Sequence, residues 1–244
     1  MSHEPTIDRV VVWVTRTADP SVSQRLPHYY RYLSGDEVAR AARFFQPADT
    51  MRFVVGRALA RTLLSRYAPI APRDWPLVID EHGRPELAHR PAHAPDLRFN
   101  VSHTDGVVAC GVTVGREIGV DVECTDRRLL HDVPERFFSP REVADLRAHP
   151  DADQALVFFD YWTLKEAYIK ARGLGLALPL RHFSFVLQPP TPTILFAPEL
   201  HDDPATWQFA QFWPTERHRM AVAVRRHGAD LPIDVEEVIP EAPV

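Results

Sequence analysis

The sequence predicts an α+β protein built from two similar halves, residues 1–114 and 115–244 of a 244-residue chain. Helical and strand periodicities alternate in the same order twice along the chain. The tripeptide Arg43-Phe44-Phe45, with Pro47 two residues on, recurs as Arg136-Phe137-Phe138 with Pro140, each ahead of a long amphipathic helix and then strands. The stretch from Val114 to Glu117 is the expected seam. Hydrophobic residues make up 45% of the chain, ample for packed cores at this length.

In chain order, the apolar run Val10 to Val14 predicts a strand, and Gly35 to Phe45 and Asp49 to Tyr67 carry helical periodicity. Strands follow at Leu77 to Asp80, Phe99 to Ser102 and Val107 to Val114. The second half repeats the rhythm with helices at Pro140 to Ala148 and Asp153 to Arg172. Its strands are Phe183 to Leu187, Thr206 to Phe212 and Met220 to Arg225. Proline-rich tracts at Ala88 to Pro95, Pro189 to Pro192 and from Pro232 onward predict surface loops and a loosely held end, because proline cannot donate to a ladder.

Composition removes several classes of function. A net charge of −5 argues against a general nucleic-acid binder, so any anionic ligand needs a local basic patch. The polar N-terminus has neither a signal-peptide core nor a membrane span, which implies a cytoplasmic location. Cys110 and Cys124 cannot form a disulfide scaffold, and their spacing does not match a zinc site. Only two of the 28 basic residues are lysines, Lys165 and Lys170, on either side of Glu166 in the run Trp162 to Lys170. An ammonium is a point donor where a guanidinium is a planar fork, so this pairing suggests chemistry on an anion, with chance in an arginine-biased composition as the ordinary alternative.

Three motifs hold the chemistry. In Glu117-Ile-Gly-Val-Asp-Val-Glu-Cys124, strand alternation places Ile118, Val120 and Val122 on one face and Gly119, Asp121 and Glu123 on the other. Two carboxylates so placed repel unless a cation sits between them, and oxygen ligands suit a hard ion such as magnesium. A solvated acidic strand face is the ordinary alternative. Trp162, Glu166 and Lys170, spaced by four, form one helical stripe, with Lys165 on a different azimuth. An exposed Glu166–Lys170 pair is the ordinary alternative here. In Arg98-Phe-Asn-Val-Ser-His-Thr-Asp105 the adjacent Ser102 and His103 point to opposite strand faces, which demotes a serine hydrolase and favours a grip on phosphate oxygens. Gly83 permits a turn presenting Arg84, a natural phosphate ligand, although an isolated Gly-Arg-Pro is more often simply a turn.

Taken together, Gly83-Arg84-Pro85, Phe99-Asn100-Val101-Ser102-His103, Gly119-Val-Asp121-Val-Glu123 and Trp162 through Lys170 resemble the 4'-phosphopantetheinyl transferases of the Sfp type over most of the chain. Arg84 replaces the commoner lysine of that pattern. The resemblance implies a pseudo-duplicated fold with the active site at the interface of its halves. The N-terminal half would bind coenzyme A phosphates, and the C-terminal half would hold the metal site and catalytic helix. It implies magnesium-dependent transfer of phosphopantetheine from coenzyme A to a serine of an apo acyl or peptidyl carrier protein, releasing adenosine 3',5'-bisphosphate. Asp121, Glu123 and Glu166 would ligate the metal, and Glu166, Lys170 and Asp121 would be catalytic. Arg40, Arg84, Asn100, Ser102, His103, Lys165 and Lys170 would bind the cofactor, the segment Arg172 to Phe183 would face the carrier, and the enzyme would be a monomer. A magnesium-dependent nucleotide pyrophosphate hydrolase and a non-catalytic coenzyme A or carrier-binding module are the competing readings.

Overall fold

The computed structural model describes residues 8–127, 132–175, 178–187 and 190–241. It divides into two compact units, one formed by Met1–Arg116 with Leu231–Val244 and the other by Glu117–Asp230. The seam at residues 116 and 117 falls inside the expected stretch for the first boundary. The end of the chain, however, belongs to the first unit, not the second.

In the first unit, strand β1 (Val10–Arg16) is central, next to β5 (Val107–Val114), which pairs with β4 (Leu97–Thr104). Both contacts are antiparallel. Helices α1 (Pro20–Tyr29), α2 (Gly35–Ala41) and α3 (Pro47–Leu64) follow β1, and a small hairpin, β2 (Leu77–Ile79) with β3 (Pro85–Leu87), precedes β4. Helix α3 buries Val54, Val55, Ala58, Leu59 and Leu63 against apolar residues that include Val108, Cys110 and Val112 of β5. The end of the chain is not loosely held. Ile233 to Glu237 form β11 (Ile233–Glu237), parallel to β1 at the sheet edge, where proline at position 232 removes a donor just outside the ladder. Helix α1 escapes the periodicity reading because Pro20 and Pro27 both lie in it; Asp19 caps it by accepting from the Ser21 amide.

The second unit has its own three-stranded antiparallel sheet. Strand β6 (Ile118–Cys124) pairs with β10 (His218–Arg225), which pairs with β9 (Trp207–Phe212). Between β6 and β9 come α4 (Val133–Phe137), α5 (Pro140–Ala148), the long α6 (Asp151–Arg172) and a hairpin of β7 (Phe183–Val186) with β8 (Thr193–Phe196). Position 189 of the second proline tract lies outside the described residues. The ladder β6-β10-β9 reproduces β1-β5-β4, and in each unit the first strand is followed by helices, a small hairpin and the two remaining strands. The α+β class and the duplication are therefore both present.

The tripeptide is not what is duplicated. Arg43-Phe44-Phe45 lies between α2 and α3, whereas Arg136-Phe137-Phe138 spans the end of α4 and leads into α5; Phe45 is 94% exposed and Phe138 fully buried. The structural repeat pairs Arg31-Tyr-Leu-Ser-Gly-Asp-Glu-Val-Ala39 with Arg136-Phe-Phe-Ser-Pro-Arg-Glu-Val-Ala144. Both contain a capping box, Ser34 with Glu37 and Ser139 with Glu142, in which each side chain satisfies the other residue's backbone amide. Among the described residues no helix is long and apolar enough to cross a membrane.

Candidate active site

Strand β6 and helix α6 build the acidic centre, and Gly119 sets their spacing. A Cβ added at Gly119 would lie 1.9 Å from the Ala167 carbonyl oxygen and 2.5 Å from the Ala171 amide nitrogen, so the helix backbone rests directly on the strand. Glycine is needed here for space. The helix thus covers the face that carries Asp121 and Glu123, and Asp121 is only 4% exposed. This excludes the solvated acidic face.

On α6 the stripe Trp162, Glu166, Lys170 is half-buried, while the residues between these positions are buried. Trp162 stacks on Phe158 and meets the edge of Phe137, at 5.7 and 5.8 Å between ring centroids. The Lys170 ammonium donates to Asp121 Oδ1 at 2.5 Å and to the Val120 carbonyl at 3.2 Å, so it pairs across to the strand. Burial pushes the Glu166 carboxyl up to about 7, with the charges of Asp121 and Glu123 adding to the shift and Lys170 opposing it. Burial and Asp121 likewise raise Glu123, against Arg127, which donates to it at 2.8 Å, and Lys170. Three carboxylates, the Lys170 ammonium and the Arg127 guanidinium therefore form a single electrostatic cluster.

The donor set of this cluster is oxygen only. Among the described residues no three acidic, histidine or cysteine side chains form a ready-made metal cage, and Lys170 is the cation against Asp121. The raised proton affinities of Glu166 and Glu123 come first from burial and then from carboxylate repulsion, and a hard divalent ion would relieve the second. The residues present fit such an ion chemically.

Lys165, expected among the cofactor-binding groups, is instead in the core. Its side chain is 0% exposed, and its three donors go to Glu142 Oε2, the Leu180 carbonyl and the Phe183 carbonyl, each at 2.8 Å. No donor remains for a phosphate. Burial lowers its pKa to about 8, and the Glu142 carboxylate works against that shift. Glu142, itself fully buried, was not singled out by the motifs; the repeated Ser-x-x-Glu box is the signal that marks it.

The first unit holds the remaining candidates. On β4, Ser102 is buried and His103 exposed, which confirms their opposite faces; Asn100 is buried across from Gly111. Gly83 has φ of 84° in a turn where Asp80 Oδ1 accepts the His82 and Arg84 amides and Asp80 Oδ2 accepts Arg84 Nε at 2.7 Å. Arg84 is thus presented by a fixed turn. Arg40, on α2, lies over the Phe53 ring, 5.5 Å from its centroid, with Arg57 over the same ring at 5.0 Å. Within the expected carrier-facing segment Arg172 to Phe183, residues 176 and 177 lie outside the described residues.

Two family models match the chain. Residues 117–223 match the 4'-phosphopantetheinyl transferase superfamily, and residues 18–113 match the 4'-phosphopantetheinyl transferase N-terminal family. The chain is 36% identical over 222 residues to the 4'-phosphopantetheinyl transferase HetI of Nostoc sp., covering 91% of this chain and 90% of that protein. It is 30% identical over 182 residues to the 4'-phosphopantetheinyl transferase Sfp of Bacillus subtilis, covering 75% and 79%. A solved structure, the holo-[acyl-carrier-protein] synthase of Neisseria meningitidis, aligns over 46% of this chain and 98% of its own with 17% identity and a TM-score of 0.39. The chain belongs to the 4'-phosphopantetheinyl transferase superfamily, Sfp type, and is a transferase of that class.

Proposed function

We propose that this enzyme transfers the 4'-phosphopantetheine arm of coenzyme A to a serine of an apo acyl or peptidyl carrier protein in a magnesium-dependent reaction. The observation that carries this reading is the Gly119 contact, which sets Glu166 and Lys170 of α6 against the strand of Asp121 and Glu123. Asp121, Glu123 and Glu166 would hold the ion. When bound, it would supply charge neutralisation at the pyrophosphate. The carrier serine Oγ forms a bond to the phosphorus bearing the pantetheine, the bond to the bridging oxygen breaks, and adenosine 3',5'-bisphosphate leaves with the bonding pair. Glu166 takes the serine proton, a role open to a carboxylate placed beside the reacting group. Lys170 supplies a point positive charge to the transferring group. Arg84, Asn100, Ser102, His103 and Arg40 supply donors suited to the other phosphates of coenzyme A.

Mass spectrometry of apo carrier proteins incubated with enzyme, coenzyme A and magnesium tests the reading. The expected product is a carrier heavier by one phosphopantetheine, formed with stoichiometric bisphosphate. Steady bisphosphate release from coenzyme A without a carrier would instead identify a hydrolase, and tight coenzyme A binding without any product a binding module.

A further inference from the structure

Lys165 stands next to the site without entering it, and the first unit shows what such a cation does. There Arg61 of α3 donates to Glu37 of the capping box at 3.0 Å, and to the carbonyls of Pro72, Arg73 and Trp75 at 2.9, 3.1 and 3.0 Å. In the second unit Lys165 of α6 donates to Glu142 of the matching capping box and to the carbonyls of Leu180 and Phe183. In both units these carbonyls lie in or beside a 3-10 turn, Pro72–Asp74 or Leu180–His182, that leads into the small hairpin. The duplication has placed a buried cation at the same node twice: long helix, capping box and hairpin entrance. The first unit retains the node without a Glu166 and Lys170 stripe, so the node does not require that stripe.

We propose that Lys165 is a positioning residue: anchored to Glu142 and to the carbonyls of Leu180 and Phe183, it fixes the rotation of α6 that turns Glu166 and Lys170 toward Asp121 and Glu123. Successive helical residues are about 100° apart, so holding Lys165 in the core places Glu166 at its edge. The chemistry of the node also accounts for lysine. Three acceptors at 2.8 Å match the three donors of an ammonium, whereas the Arg61 node offers its fork one carboxylate and three carbonyls. Glu142 belongs to the same device, since it also accepts the Ser139 and Phe185 amides at 2.8 Å and so ties α5, α6 and β7 together.

The kinetic part of the test rests on the proposed transfer reaction; a second part does not. Lys165→Met, Glu142→Gln and the double variant are compared with the full-length wild type for transfer rate per coenzyme A-binding site and for amide hydrogen exchange without ligands. Each single variant should lower kcat about ten-fold or more while the coenzyme A KM stays within about two-fold, and the double should be no worse than the worse single, because the pair acts as one unit. Exchange should accelerate together in residues 162–172 and 178–185 in both single variants. If Lys165→Met does not fold, Lys165→Arg, which keeps the charge in the core, should show the same split in milder form. A raised coenzyme A KM in the Lys165 variants that Glu142→Gln does not share, or exchange unchanged in both segments, would overturn the proposal. A wild type that modifies no carrier would remove the reaction reading while leaving the exchange result to decide the role of the node.

Discussion

Asp121 and Lys170 make the shortest contact of the acidic centre, and their neighbours Glu166 and Glu123 both carry raised proton affinity. Asp121→Ala and Glu166→Ala should each reduce carrier modification by about a hundred-fold or more, since each removes a proposed ligand of the ion, while the far-ultraviolet circular dichroism stays unchanged. Turnover within a few-fold of wild type would contradict the assignment. Lys170→Arg should also lose most of its activity, because a planar fork cannot occupy the position of a point donor on Asp121. The pH dependence follows from Glu166. Its folded value near 7 lies above its unfolded value, so the folded state binds the extra proton and stability falls as pH rises between about 4.5 and 7. Magnesium should therefore raise the melting temperature more at pH 8 than at pH 5, and Glu166→Gln should flatten that difference, which thermal melts at the two pH values will show.

At the scale of elements, the backbone contact between β6 and α6 decides the most. Gly119→Ala forces a methyl into the backbone of Ala167 and Ala171, atoms that no rotamer change can move. It should cost about 3 kcal/mol or more in urea unfolding and abolish transfer. Gly35→Ala, at the first turn of α2 with nothing within 4 Å of the added Cβ, should be neutral or stabilise by about 0.5 kcal/mol. A mild Gly119→Ala would mean that the helix does not need this approach. Much of this layer was legible in the sequence: the β6 alternation, the β4 faces of Ser102 and His103, and the helical stripe of Trp162, Glu166 and Lys170 all follow from periodicities of 2 and 3.6. What was not legible lies in partners distant along the chain. Lys165 reads as a ligand group because nothing local shows that Glu142 and the carbonyls of Leu180 and Phe183 will consume its donors. The alternation of β11 is overshadowed by the prolines around it, and its pairing with β1 spans nearly the whole sequence.

For the whole molecule, the return of the chain's end to the first unit makes Glu117–Asp230 an insertion between β5 and β11. The two ends of that insertion lie together, since Ile118 pairs with Val224 and the Arg225 amide donates to the Glu117 carbonyl at 2.9 Å. Truncation after Asp230 removes β11, its ladder with β1, and the contacts of Trp13 Nε1 with Glu236 and of the Thr15 hydroxyl with the Val238 carbonyl. The shortened chain should melt about 5 °C or more below the full chain, with Trp13 and Trp75 fluorescence reporting the earlier loss of the first unit. Coincident melting of both forms would show that the last strand adds nothing.

Because β11 is made after every other described element, ribosomal synthesis sets an order on maturation. The strand β1 emerges before all the others, yet one of its edges stays unpaired until Ile233 to Glu237 leave the exit tunnel. The segment Glu117–Asp230 is contiguous and needs nothing downstream of itself to complete its ladder, so it is finished while the first-made half is still waiting for its edge. The usual N-to-C sequence of domain completion is thereby inverted. The exposed β1 edge during that interval is open to strand pairing with another molecule.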